Sequence, residues 1–102
     1  MASKKIQRVK FSRYDAADYL KTEADMAAYL EACMDEAGDD AAYIAAALGD
    51  IARARGMVQL AQDTGLTREG LYKALSPEGN PSLSTILKVV KALGLKLTPQ
   101  VA

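Results

Sequence analysis

The stretch LAQDTGLTREGLYKAL, residues 60–75, decides the fold of this chain. Apolar residues recur at helical spacing on both sides of Gly65, and a glycine at a helix end permits the positive φ that a sharp turn requires. Thr67 then supplies a favourable N-cap for a second helix. The stretch therefore predicts two short helices, at about 57–64 and 67–75, that cross closely over a tight turn.

The outward face of the second helix carries polar and charged side chains, most of them at its N-terminal end. A helix that enters the DNA major groove with its N-terminus first presents such side chains to base edges and phosphates. Arg68 suits guanine, and Glu69 suits the amino group of cytosine. The candidate DNA-binding residues are Gln59, Gln62, Thr67, Arg68, Glu69, Tyr72, Lys73 and Asn80. A solvated helical hairpin without a ligand predicts the same local fold, so the stretch alone does not decide between the two.

The charges of the chain are strongly segregated, although 13 basic and 13 acidic residues cancel to a formal net charge of zero. Residues 1–13 carry five basic groups and no acid, whereas residues 14–50 carry ten acids and one lysine. Residues 51–102 carry seven basic groups and three acids. This asymmetry indicates separate surfaces for separate partners. The alternative is an acidic helix face that is merely solvated.

The composition excludes several kinds of chemistry. There is no histidine and only one cysteine, Cys33, so an intramolecular disulfide, a Cys/His zinc site and a histidine-activated nucleophile are all ruled out. Cys33 falls in an apolar helical pattern and is expected to be a small core residue. With no glycine-rich phosphate loop either, we expect no enzymatic activity, no metal and no cofactor.

Helix signals precede the opening stretch. A short helix is expected from Asp15 to about Leu20. Thr22 with an acid three residues later approximates a capping box, which opens a further helix. A third helix is expected at about 41–55, and Gly49 inside it suggests that a neighbour packs closely there.

Further signals follow the opening stretch. After a turn-rich loop, a last helix is expected from Ser82 or Ser84 to about Leu93, ended by Gly94. Four of its side chains are expected to point inward, namely Leu83, Ile86, Leu87 and Val90. The alternating residues 95–98 predict a short strand.

The remaining sequence carries no targeting signal. The N-terminus MASKKIQRVKF lacks the apolar segment of a secretion signal. The longest apolar run, 41–49, is too short to cross a bilayer, so a cytoplasmic protein is expected.

The stretch GLTREGLYKALSPEGNPSLSTILKVVKALGLKL resembles the lambda-repressor-like (XRE-type) helix-turn-helix domains, in which Asn-Pro-Ser in a loop and a closing helix ending in Ala-Leu-Gly follow the recognition helix. The resemblance covers about 44–97. It implies an all-α helix-turn-helix bundle with an N-terminal helical extension and possible short terminal strands. One departure is Met57, where many members place a glutamine that contacts phosphate.

A second resemblance covers nearly the whole chain. LGDIARARG, TREGLYKALSPEGNPS and KALGL, together with FSRYDAADYLKTEADMAAYL, are similar to the HigA-like antitoxins of type II toxin–antitoxin (addiction) modules. The resemblance implies neutralisation of a small basic toxin of the RelE/ParE superfamily and repression of the module's own promoter by a homodimer on double-stranded operator DNA. It also implies that residues 1–40, an arm and acidic helical extension, bind the toxin and that residues 41–98 form the DNA-binding domain. A stand-alone phage- or plasmid-type repressor and an adaptor that no longer binds DNA are the alternatives.

A basic toxin and the acidic residues 14–50 are electrostatically complementary. The candidate toxin-binding residues are Tyr14, Asp15, Asp18, Tyr19 and Tyr29. The alternative for the tyrosines is ordinary packing onto the third helix. The basic arm at 4–13 is equally suited to contacting DNA, pairing with residues 95–98, or adding a strand to the toxin sheet.

Overall fold

The computed structural model describes residues 19–101. Five helices are defined there: α1 (Glu23–Ala37), α2 (Ala41–Arg55), α3 (Met57–Thr64), α4 (Arg68–Ala74) and α5 (Leu83–Ala92). The described part of the chain contains no strand. The all-α class predicted from the sequence is therefore confirmed for these residues, whereas the basic arm and most of the helix expected at Asp15 to Leu20 lie outside them.

Four of the five described helices begin where a local side chain satisfies a free backbone N–H group, and α3, which follows Gly56, is the exception. Thr22 and Asp25 form the predicted capping box at the start of α1, and Asp40 accepts from the Tyr43 N–H at the start of α2. Ser82 accepts from the Thr85 N–H at the start of α5. Such N-caps typically contribute about 1 kcal/mol each, so the first residues of these helices are determined locally.

Gly49 brings α2 against the end of α4. A Cβ added at Gly49 would overlap the carbonyl oxygen of Leu75. The close packing that the sequence suggested at this position is thus confirmed. A glycine here costs about 1 kcal/mol of helix propensity, and in return it allows two helices to approach backbone to backbone.

One hydrophobic core unites all five helices. Its members are Leu20, Met26, Tyr29, Leu30, Cys33, Ala47, Leu48, Ile51, Ala52, Met57, Leu60, Leu71, Leu75, Val89, Val90 and Leu93. Cys33 is buried among them, as expected. Because α1 contributes four of these side chains, it is part of the same packed body as the helices that follow it.

The inward face of α5 differs from the predicted one. Leu83 and Leu87 are 70% and 49% exposed, so the expectation that both point inward was wrong. Val89 and Leu93 are fully buried in their place, beside Val90. Two apolar stripes overlap on this helix. Helix α5 packs mainly against α3, and this contact buries the stripe that contains Val89.

The strand expected at residues 95–98 is absent from the structure. Leu95 donates its N–H to the Val90 carbonyl as part of the helix end, and residues 96–98 have no ladder partner within the described chain. An alternating pattern forms a strand only when another backbone edge lies alongside it. The predicted αL stop at Gly94 is confirmed by its φ of 78°.

Candidate nucleic-acid interface

A three-residue turn joins α3 to α4. Gly65 takes the left-handed conformation with φ 76°, and its N–H donates to the Ala61 carbonyl at 2.9 Å. The Thr64 hydroxyl donates to the Leu60 carbonyl at 2.8 Å. Thr67 caps α4 by accepting from the Gly70 N–H at 2.9 Å. These local bonds define the direction in which α4 leaves the turn.

The two faces of α4 are sharply different. Leu71 and the adjoining Leu75 are 0% and 1% exposed and anchor the helix to the core. Arg68, Glu69 and Lys73 are exposed on its other side, and Tyr72 is 37% exposed beside them. The structure therefore presents the predicted reading side chains together, on the outward face of a firmly packed helix.

The other predicted DNA contacts also lie at the surface. Gln59 and Gln62 are exposed on α3, where the Gln59 amide donates to the Asp63 carboxylate at 3.0 Å. Asn80 is exposed in the loop before α5. Thr67 is exposed as well, although its hydroxyl oxygen already serves as the cap of α4.

Tyr72 has two cationic neighbours. The guanidinium groups of Arg53, on α2, and Arg68, on α4, each lie over its ring, 5.7 Å from the centroid. This distance is within the range of a cation–π interaction. Sequence reasoning missed Arg53, because its contact with Tyr72 joins two helices and no local pattern marks it. The Arg68–Tyr72 contact, by contrast, has the four-residue spacing of helix neighbours.

Arg53 is in turn connected to α1. Its Nη1 lies 3.7 Å from Oδ1 of Asp50, and Oδ2 of Asp50 accepts a hydrogen bond of 2.9 Å from the Tyr29 hydroxyl. Burial raises the pKa of the Tyr29 hydroxyl well above its ordinary value, and the Asp50 carboxylate raises it further. Tyr29 is thus a protonated hydrogen-bond donor throughout the physiological pH range.

Tyr29 is one of the candidate toxin-binding residues, for which packing onto the next helix was the alternative, and the structure places it in such a packed position. Its side chain is only 9% exposed and belongs to the core, where it packs against α2. Tyr19 remains 55% exposed at the N-terminal end of the described chain. The other three candidates, Tyr14, Asp15 and Asp18, lie outside the described residues.

The exposed side of α1 is acidic. Glu23, Glu31 and Asp35 are exposed along this helix, and Asp39 and Asp40 follow it at the surface. Glu23 forms an ion pair with Arg55 at 3.9 Å, and an exposed pair of this kind contributes little to stability. Glu31 and Asp35 flank Leu30 and Met34 beside the C-terminal segment 95–100. This arrangement gives α1 a negatively charged surface with apolar groups next to it.

Within residues 19–101, no cluster of side chains has the composition of a metal site. No helix in that part of the chain has the length and hydropathy needed to cross a membrane.

Comparison with known proteins identifies the family. Residues 10–101 match the family described as "Probable addiction module antidote protein". A protein of Haemophilus influenzae, described as an uncharacterized protein, is 49% identical over 87 residues, which cover 85% of this chain and 88% of that protein. No solved structure matched the chain. Since the family match spans nearly the whole sequence, this chain belongs to the family of probable addiction module antidote proteins.

Proposed function

We propose that this antidote protein acts as an antitoxin with two faces. Helix α4 binds operator DNA and represses the module's own operon, and the acidic N-terminal part neutralises a basic toxin of the RelE/ParE superfamily. The observation that carries the proposal is the exposed Arg68, Glu69 and Lys73 on the outward face of a capped helix. These are binding roles, and the proposal includes no catalytic step.

The geometry of α3, the turn and α4 supports the DNA-binding half. A helix-turn-helix of the lambda-repressor-like type needs a short turn with a glycine and a second helix whose N-terminal residues are free to meet bases. Gly65 and Thr67 supply the turn and the cap, and Arg68 is the first residue of α4. Because a helix of seven residues reads few base pairs, we propose that a homodimer binds a palindromic operator.

Fluorescence anisotropy on the DNA upstream of the gene tests this half. Arg68→Ala should weaken specific binding about 5- to 150-fold, because a bidentate contact to guanine is lost. Lys73→Ala should weaken binding to all sequences and reduce the salt slope of log K by about one, as expected for one lost phosphate contact. Lys96→Ala is the control, since Lys96 lines the same groove as Glu31 and Asp35 of α1 and is not among the candidate DNA contacts. Undetectable binding of the native protein at low salt would contradict the proposal.

The exposed acids of α1 support the toxin-binding half. Charge complementarity speeds the encounter of two proteins and disfavours wrong partners. Removal of the whole N-terminal part is a poor test, because α1 supplies core residues and the deletion would damage the fold. Charge reversal at the surface leaves the core intact and is the sharper experiment.

The double variant Glu31→Lys/Asp35→Lys should therefore slow association with the basic product of an adjoining gene, measured by surface plasmon resonance at several salt concentrations. Glu78→Lys, in the exposed loop before α5, changes one charge on a different part of the surface and should bind as the native chain does. Equal association rates for all three proteins would remove α1 from the toxin surface. If no small basic protein is encoded next to this gene, the stand-alone repressor becomes the better explanation.

A further inference from the structure

A continuous set of contacts runs from the core of α1 to the outward face of α4. Its first two links are the hydrogen bond from Tyr29 to Asp50 and the ion pair between Asp50 and Arg53. Its last two are the positions of Arg53 and Arg68 over the ring of Tyr72. The set therefore joins three helices and ends on a side chain that is proposed to read DNA.

The charges along this set fit together. Two guanidinium groups over one aromatic ring repel each other, and a nearby negative charge offsets this repulsion. Asp50 supplies that charge beside Arg53, with a side chain only 17% exposed. The two oxygens of its carboxylate serve different partners, since Oδ1 faces Arg53 and Oδ2 accepts from Tyr29. The hydrogen bond from the tyrosine hydroxyl thus helps to orient the carboxylate toward Arg53.

The structure also leaves space for Arg53 in this position. A Cβ added at Gly49 would lie 3.1 Å from the Arg53 Nη1 atom, closer than side chains usually pack. Arg53 itself is largely shielded, whereas Arg68 is exposed and would sample many rotamers without a neighbour to stack on. The Tyr72 ring is that neighbour, and Arg53 supports the ring from α2.

We propose that Tyr29, in the core of α1, is a positioning residue for Arg68 on the DNA-reading face of α4. The inference rests on the DNA-binding function proposed above and deepens it, because it makes the accuracy of base reading depend on the helix that carries the acidic surface. Tyr29 acts only through its neighbours and touches no DNA.

The test compares base discrimination between variants. The first step is a competition experiment, followed by fluorescence anisotropy, with the upstream DNA and a set of its single base-pair variants. It identifies the base pair at which Arg68→Ala abolishes discrimination between the native base pair and its variants. Tyr29→Phe, which removes only the hydroxyl, should lower discrimination at that same pair about three- to tenfold and leave the other pairs unchanged. In the Arg68→Ala background, Tyr29→Phe should have no further effect at that pair, because the group it positions is gone.

Tyr43→Phe is the matched control. The Tyr43 hydroxyl also joins α2 to α1 through a carboxylate, that of Glu36, at 3.3 Å, and this hydrogen bond involves neither Asp50 nor Arg53. It should leave discrimination unchanged. If Tyr29→Phe does not fold, as judged by circular dichroism, Arg53→Lys takes its place, because it keeps the charge and loses the planar group over Tyr72.

The outcomes separate the two proposals. Suppose that the native chain binds specifically while Tyr29→Phe discriminates between bases equally well, or loses discrimination uniformly at all base pairs. Either result would overturn the positioning role alone. Absence of specific binding by the native chain would overturn the DNA-binding function and the positioning role together.

Discussion

Tyr29 shows how burial changes what a residue can do. The sequence indicated an aromatic anchor among acids, and the structure makes the same side chain a buried donor to Asp50. Burial and the neighbouring carboxylate favour the protonated hydroxyl, so its pKa is raised in the folded state. The folded and unfolded states therefore differ in proton binding at alkaline pH.

This difference predicts a pH dependence of stability. Below about pH 10 the hydroxyl is protonated in both states, and its full contribution to stability is present. Above that pH the unfolded state loses the proton while the folded state keeps it, so stability falls by up to about 1.4 kcal/mol per pH unit. Urea denaturation from about pH 9 to about pH 11 should show a steeper decline for the native chain than for Tyr29→Phe. Parallel curves would contradict the predicted pKa shift.

Gly49 gives a second prediction at the scale of one residue. Gly49→Ala adds about 1 kcal/mol of helix propensity but forces a Cβ against the Leu75 carbonyl. Because backbone atoms of two helices have to separate, we expect a net loss of about 1–3 kcal/mol in the free energy of unfolding, measured in urea. Ala28→Gly, at an exposed position of α1, measures the propensity difference by itself. A stabilised Gly49→Ala would mean that the two helices have room to move apart.

Among the elements, α4 is too short to be stable alone. Isolated helices shorter than about 12–15 residues are marginal in water, and α4 has seven residues. Its Thr67 cap and the buried Leu71 therefore hold it in place. A reading surface built on a helix that is anchored in this way keeps its orientation when it meets a ligand.

The burial pattern of α5 predicts that two leucines of that region contribute very differently to the free energy of unfolding. Leu93→Ala should cost about 2–5 kcal/mol, because the side chain is fully buried. Leu87→Ala, the same substitution on the 49% exposed stripe, should change stability by about 0.5 kcal/mol or less. Urea denaturation of the two variants measures both values. Equal losses would mean that the stripe containing Leu87 is covered in solution.

At the scale of the whole molecule, acidic and basic surfaces share a single core. Helix α1 carries the exposed acids Glu31 and Asp35 on one side and contributes Met26, Leu30 and Cys33 to the core on the other. The two proposed functions therefore belong to surfaces that cannot be separated without exposing apolar side chains.

Deletion of residues 1–38 should consequently abolish cooperative folding. Met26 and Leu30 each contribute about 1.5–3 kcal/mol, and Tyr29 and Cys33 add to this, so their loss removes a large share of the stability of a small domain. Thermal unfolding followed by circular dichroism measures the effect. Truncation after Thr98 is the control, because Pro99, Gln100 and Val101 are exposed. A two-state transition in the fragment that begins at Asp39 would show that residues 39–102 fold by themselves.

The sequence by itself determined the all-α class, the start of α1, the approximate bounds of α2 to α5, the turn at Gly65 and the outward placement of Arg68. Caps, turns and helix periodicity depend on residues within about four positions of one another, so they can be read locally. Only the tertiary structure decided which stripe of α5 is buried and that residues 95–98 form no strand, because both depend on which neighbour lies alongside. It also decided that Tyr29 lies in the core and that Arg53 reaches Tyr72, since these contacts join helices that are distant in the sequence.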